Sequence, residues 1–187
     1  TFILGQSQSF LINIAERCSN KDKIHYFPSW AEEVFNHSEL IPAPEVPLQD
    51  GVFTVLFAGN VGEAQDFPAI LDAAEVLKGN SSIRWLVVGD GRMSGWLQEE
   101  VIRRRLQDNV LLLGRFPVER MPSFYAHADA LLVSLKKDPI FSMTIPSKVQ
   151  SYLMSGLPLI GMLDGEGAQV IIDSNAGLTC TSSDGSG

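Results

Sequence analysis

A chain of 187 residues with 45% apolar side chains can form one well-buried domain and a small appendage, which excludes a disordered tail. Its formal charge of −8 repels a phosphate backbone, so nucleic acid is not an expected partner. Apolar runs such as LFAG, WLVVG, VLLLG and ALLVSL are far shorter than the roughly 20 residues that cross a bilayer.

Residues 1–50 carry an amphipathic helix around FLINIAER, a short strand around KIHYF and the proline-rich IPAPEVPLQD, which reads as a linker. From Val52 onward, short β-branched or leucine-rich runs alternate with segments of helical period. FTVLFAG (53–59) is the first strand, and Asp66-Phe67-Pro68 then offers an N-cap and a first-turn proline. In the helix that follows, Ile70, Ala73, Ala74 and Leu77 share a face, and Gly79-Asn80 ends it. IRWLVVG (83–89) is the second strand. Ser94 caps a helix through Arg105 that buries Trp96, Leu97, Val101 and Ile102, while Arg103, Arg104 and Arg105 pair with Glu99 and Glu100 on its solvated face. NVLLLG (109–114) is the third strand, PVERMPSFYAHA a helical segment interrupted by Pro122, and ALLVSL (130–135) the fourth strand.

PSKVQSYLMS then starts a helix at Pro146, Gly156 serves as its left-handed cap, Pro158 stops it and LPLIGM is the fifth strand. Glu166 to Asp173 reads as a last helix and GLTC as an edge strand. Six strands joined by helices predict an α/β fold with a doubly wound, parallel, Rossmann-like sheet occupying residues 51–187. The chain starts on TFILG without methionine and stops on TSSDGSG, so we read it as a piece of a longer protein, with its second domain truncated at the C-terminus. Cys18 and Cys180 show no disulfide or metal spacing, which fits a reducing, cytoplasmic setting.

Ligands of open α/β sheets bind outside the carboxyl ends of the strands. Here those ends carry GNVG (59–62), GDGR (89–92) and GRF (114–116), turns whose glycines permit positive φ and close backbone approach. Lys148 sits in the first turn of its helix, where the positive end of the macrodipole disfavours it by about 0.3–1 kcal/mol. A bound phosphate would offset that cost, and a lysine turned back to solvent would avoid it. His25, His37 and His127 lie off the strand-end loops and have ordinary packing or surface roles.

Together GNVGEAQDFPAILDAAEVLK, WLVVGDGRMSGWLQ, NVLLLGRFP, HADALLVSL and PSKVQSYLMSGLPLIGMLDGEGAQVI resemble the C-terminal, donor-binding domain of glycosyltransferase family 4, which has GT-B architecture. KIHYFPSWAEEVF resembles the family's crossing from the acceptor domain, with Ser29 where asparagine is usual. Residues 1–50 would then be the tail of that acceptor domain.

The resemblance implies a retaining, metal-independent glycosyltransferase with no cofactor beyond a nucleotide-sugar co-substrate. Lys148 would stabilise the leaving diphosphate as the catalytic cation. Gly59, Asn60 and Gly62 would line the phosphate loop, Gly89, Asp90, Gly91 and Arg92 the second loop, and Arg115 and Phe116 would face the nucleobase. Ser147 and Ser151 flank Lys148 on the donor side. The family's paired glutamates fall on Met143 and Ser151, and its Arg/Lys pair after the first strand falls near Asn60 and Gln65 or Asp66. Those departures put more of the diphosphate's charge on Lys148 and Arg92.

The PSKVQSY variant resembles members that assemble bacterial surface polysaccharides, commonly from UDP-linked sugars. The acceptor, a sugar or lipid-linked sugar, would bind a preceding domain, which leaves room for peripheral membrane association of the full protein. Residues 1–187 alone are expected to transfer nothing. Two other readings remain open at this level: an NAD-binding Rossmann domain in which Asp90 holds a ribose, and a noncatalytic interaction module that has lost both glutamates.

Overall fold

The computed structural model describes residues 1–31, 41–183 and 185. His37 and the end of the KIHYFPSWAEEVF segment lie outside the described residues. At the N-terminus, strands β1 (Ile3–Gly5) and β2 (Ile24–Tyr26) pair in parallel, with helix α1 (Gln8–Arg17) between them. The helix and β2 were expected; β1 was not, because three residues carry no readable periodicity. Ser7 caps α1, its Oγ accepting from Phe10 N at 3.2 Å.

The main sheet contains β3 (Phe53–Ala58), β4 (Ile83–Val88), β5 (Val110–Gly114), β6 (Ala130–Ser134), β7 (Leu159–Met162) and β8 (Gly177–Cys180). All pairings are parallel, in the order β5-β4-β3-β6-β7-β8. The chain enters at the centre, winds outward to β5, then crosses back beside β3 to lay down β6, β7 and β8. This is the doubly wound order, and its switch point lies between β3 and β6.

Both faces of the sheet are buried, as parallel sheets require. Along β3, Val55 and Phe57 enter one layer and Leu56 and Ala58 the other. The first layer is covered by α2 (Phe67–Val76) and α3 (Ser94–Arg103), and the second by α4 (Met121–Tyr125), α6 (Lys148–Ser155) and α7 (Glu166–Asp173). A four-residue helix, α5 (Pro139–Ser142), follows β6 unannounced; Asp138 Oδ1 starts it by accepting from Ile140 N at 2.8 Å.

Several local expectations change. Asp66 occupies the N-cap of α2 in a left-handed conformation, φ 50°, but makes no cap bond; its carboxylate instead accepts from Ser183 Oγ at 2.6 Å. Helix α2 stops at Val76, leaving Leu77 partly exposed, while Phe67 and Leu71 join Ile70 and Ala74 in its buried face. Ser94 is the first residue of α3 and not its cap; Leu97 and Val101 are buried, but Ile102 is exposed. Pro122 lies in the first turn of α4, where its missing N–H costs nothing, so it opens a helix and does not interrupt one. Glu100 holds both Arg103 and Arg104, at 2.6 and 3.0 Å.

The proline-rich IPAPEVPLQD packs as part of the core, with Ala43 and Val46 buried. Ala43 N donates to Ser123 O at 3.0 Å, and the buried Arg84 donates to Pro47 O at 2.6 Å. His127 Nε2 lies 2.8 Å from Ala43 O, which gives that buried imidazole a packing role. No described helix is long and apolar enough to cross a membrane.

Candidate functional site

The site begins where β3 and β6 part. They pair only at Val55–Ala130 and Leu56–Leu131, so the backbone of Ala58 has no strand partner on that side. Tyr152 of α6 supplies one: its fully buried hydroxyl accepts from Ala58 N at 2.8 Å and donates to Ala58 O at 3.1 Å. One phenol thereby satisfies both groups that the divergence orphans, and the crevice opens just beyond it. Burial pushes the Tyr152 phenol well above its usual pKa, so it remains a neutral donor.

Lys148 lies four residues earlier on α6, one turn above Tyr152 on the same face. The helix starts at Lys148 and not at Pro146, whose carbonyl instead accepts from Val149 N at 2.9 Å. The lysine stem is half-buried and runs inward, not back to solvent. Its Nζ is fully covered, 3.6 Å from the centroid of the Phe57 ring, and has no hydrogen-bond partner. Burial pulls its pKa down to about 7.

Gly59 makes this approach possible. Its φ is +143°, and a Cβ there would stand 3.2 Å from Lys148 Nζ. The strand-end turns then stack on one another: Gly59 N donates to Val88 O at 2.9 Å, Gly89 N to Gly114 O at 2.7 Å and Val61 N to Asp90 O at 2.9 Å. A Cβ on Gly89 would fall 1.8 Å from Gly59 O, so these two turns touch backbone to backbone.

Two clefts meet at Gly59, Asn60 and Met121. One, of about 480 Å³, is lined by Gly59, Asn60, Gly89, Asp90, Gly91, Arg115 and Phe116 among others. The other, of about 640 Å³, is lined by Lys148, Ser147, Ser151 and Gln65, and by Phe10 and Trp30 of the N-terminal segment. The fold therefore gathers most of the sequence-selected residues along one sheet edge. Arg92 and Gly62 line neither cleft, and Arg92 is exposed. Gly62 is buried beneath Asn60, whose Nδ2 fills the space a side chain would take.

Several side chains are already engaged. Asp90 Oδ1 accepts from Ser94 Oγ at 2.6 Å and Gly91 N at 2.7 Å, and these two bonds hold the carboxyl below its ordinary pKa. This acid therefore ties its own turn to α3, which weakens the ribose-holding role expected of an NAD site. Ser151 Oγ donates to Lys148 O at 3.0 Å, so its proton is committed to the helix. Phe116 packs against Phe124 in a tilted pair, centroids 4.6 Å apart, with the Arg120 guanidinium 5.5 Å from its own centroid. Met143 turns its carbonyl to Ser7 Oγ at 2.5 Å, joining α5 to the start of α1. Among the described residues, no group of three His, Cys, Asp or Glu side chains is placed to hold a metal ion.

Sequence reading missed Tyr152, Phe10, Trp30 and Met121. The helical spacing of Tyr152 from Lys148 was a usable signal; the other three reach the clefts through tertiary packing that no local pattern announces.

The family description "Glycosyl transferases group 1" matches residues 52–186. The chain is 25% identical over 194 residues to the probable glycosyltransferase WbjE of Pseudomonas aeruginosa, covering 97% of this chain and 46% of that protein. Among solved structures it is similar to Anabaena Alr3699/HepE in complex with UDP and glucose, with TM-score 0.72 and 14% identity over 98% of this chain and 50% of that one. It is also similar to a glycosyltransferase from Rickettsia africae, with TM-score 0.73 and 15% identity over 99% and 51% of the two chains. The chain thus spans about half the length of these relatives.

Proposed function

The chain belongs to the glycosyl transferases group 1 family, and from that premise we propose that it is the donor-binding half of a retaining, metal-independent glycosyltransferase that uses a UDP-sugar in surface-polysaccharide assembly. The observation that carries this reading is the unpaired Lys148 Nζ against Gly59, at the switch point of the sheet. A buried amine without a counter-charge favours an anion that brings one. The positive end of α6, whose first residue is Lys148, adds to the same field.

In this reading the diphosphate binds over Gly59 and Lys148, and the nucleoside occupies the cleft between Asn60 and Phe116. As the glycosidic bond breaks, negative charge grows on the departing diphosphate. Lys148 and the first-turn amides of α6 stabilise that charge more strongly than they stabilise the ground state, which is how they would accelerate transfer. The acceptor, a sugar or lipid-linked sugar, approaches from a domain preceding residue 1, so residues 1–187 by themselves bind donor and do not transfer it. The UDP assignment is supported by the relative solved with UDP and glucose.

Calorimetric titration of the chain with UDP, GDP and NAD tests the reading. Saturable UDP binding that Lys148→Ala abolishes is the expected result. NAD binding alone would move the protein to a dehydrogenase class, and no nucleotide binding at all would favour an interaction module.

A further inference from the structure

Among the described residues, two buried side-chain polar atoms have no hydrogen-bond partner: Lys148 Nζ and Gln65 Oε1. Both residues line the 640 Å³ cleft. Gln65 is not a loose surface amide. It closes the 3-10 turn Glu63–Gln65, its N–H donates to Gly62 O at 3.2 Å, and its carbonyl accepts from Ser134 Oγ of β6 at 2.7 Å. Gly62 leaves room for the side chain, since a Cβ there would stand 3.2 Å from Oε1. Buried polar groups are nearly always paired, so two orphans on one cleft call for a partner that enters it.

The two atoms ask for opposite things. An ammonium only donates and an amide oxygen only accepts. They do not satisfy each other. A phosphoryl oxygen can serve Lys148 Nζ but presents nothing to Gln65 Oε1 except repelling lone pairs, however well it would suit the amide Nε2. At neutral pH a nucleoside diphosphate has its N–H and O–H donors on base and ribose, the end assigned to the other cleft. The missing donor must therefore come from what the diphosphate carries beyond its last phosphorus. Both side chains line the cleft and end in single bonds, so a rotamer change would bring each covered atom to its wall as a ligand enters.

We propose that Gln65 is a specificity-determining contact that reads the sugar of the donor, its Oε1 accepting from a hydroxyl or amide N–H next to the phosphate that Lys148 holds. This rests on the donor-binding reading of Lys148. It implies that the chain separates a nucleotide sugar from the free nucleotide, its own product.

The test compares UDP with UDP-glucose, UDP-galactose and UDP-N-acetylglucosamine, by calorimetry, on the wild-type chain and on Gln65→Met, which keeps the side-chain volume and removes the acceptor. The wild type is expected to bind at least one of the sugars about tenfold more tightly than UDP, a difference worth one hydrogen bond. Gln65→Met should erase that difference, leave UDP affinity within about twofold and keep the melting temperature within a few degrees. Equal loss of UDP and UDP-sugar affinity in Gln65→Met, an unchanged ratio, or wild-type affinity no better for any sugar than for UDP would each overturn the role of Gln65 while leaving UDP binding intact. Absence of UDP binding in the wild type would overturn both this inference and the donor-site reading beneath it.

Discussion

Lys148 Nζ lies 3.6 Å from the centroid of the Phe57 ring, so the positive end of the lysine rests on an aromatic face in place of an acid. That face attracts the cation through its quadrupole, but far less than water would. The result is an amine whose pKa has fallen to about 7, from burial alone. A diphosphate arriving beside it would raise that value again. Above pH 7, therefore, UDP binding should take up close to one proton, and the dissociation constant should rise about tenfold per pH unit. Titrations at pH 8 in two buffers of different ionisation enthalpy measure the uptake directly. Lys148→Arg, permanently charged, should show none; equal uptake by both proteins would refute the assignment.

The same amine destabilises the unliganded fold. Its folded pKa of about 7 lies below the unfolded lysine value of about 10.4, so between those limits the unfolded chain binds more protons. Stability from this group therefore rises as pH rises from 7 towards 10, and the penalty is complete below pH 7. Lys148→Met, which keeps the stem and drops the amine, should raise unfolding stability at pH 7 by about 1–3 kcal/mol and flatten that rise. Urea denaturation at pH 7 and pH 9 checks both. A variant less stable than wild type at pH 7 would mean that the amine has a partner in solution.

The sheet was legible because each strand is a short apolar run and every βα turn except the one after β6 carries glycine, and both signals are local. The strand order, β5-β4-β3-β6-β7-β8, was not itself readable from those signals. What escaped reading was nonlocal. Ala43 and Val46 sit in a proline-rich stretch that resembles a linker, yet both are buried against the sheet. Lys148 could be picked out by its misfit with the helix dipole, but its direction depended on Gly59 and Phe57, 89 and 91 positions away in sequence. Arg92 looked equivalent to its glycine neighbours and is not: it is exposed in the turn before α3 and lines neither cleft. Met143 and Ser151 departed from the family pattern, and the structure gives both of them bonds inside the protein.

Tyr152→Phe isolates the hydroxyl that closes the gap between β3 and β6. Ala58 N and O lose their shared partner in a buried position, with no room for a strand to replace it. A loss of about 1–3 kcal/mol is expected. Because Ala58 precedes Gly59, UDP affinity should fall as well, and amide exchange at Ala58 should accelerate more than at Leu56. Exchange that rises uniformly along β3 would show that the hydroxyl matters only globally.

Besides the Ser7–Met143 bond, one carboxylate ties the N-terminal segment to the sheet domain. Glu166, in the first turn of α7, accepts at Oε1 from Ser9 N at 2.6 Å and Ser9 Oγ at 2.7 Å. Ser9 is in the first turn of α1, so a single acid sits at the positive ends of two helices at once. Phe10, beside Ser9, is one of the two aromatic residues that this segment contributes to the cleft wall. No residue of α1 is buried, so apolar packing cannot hold the helix there unaided. Glu166→Ala should therefore loosen residues 1–31 without unfolding the sheet. Limited proteolysis should cut within α1 at least several times faster, while the main unfolding transition shifts by about 1 kcal/mol or less, the worth of one cap. Because Phe10 and Trp30 withdraw with the segment, affinity for a UDP-sugar should fall more than affinity for UDP. Unchanged proteolysis in Glu166→Ala would show that Ser7 and Met143 hold α1 in place without Glu166.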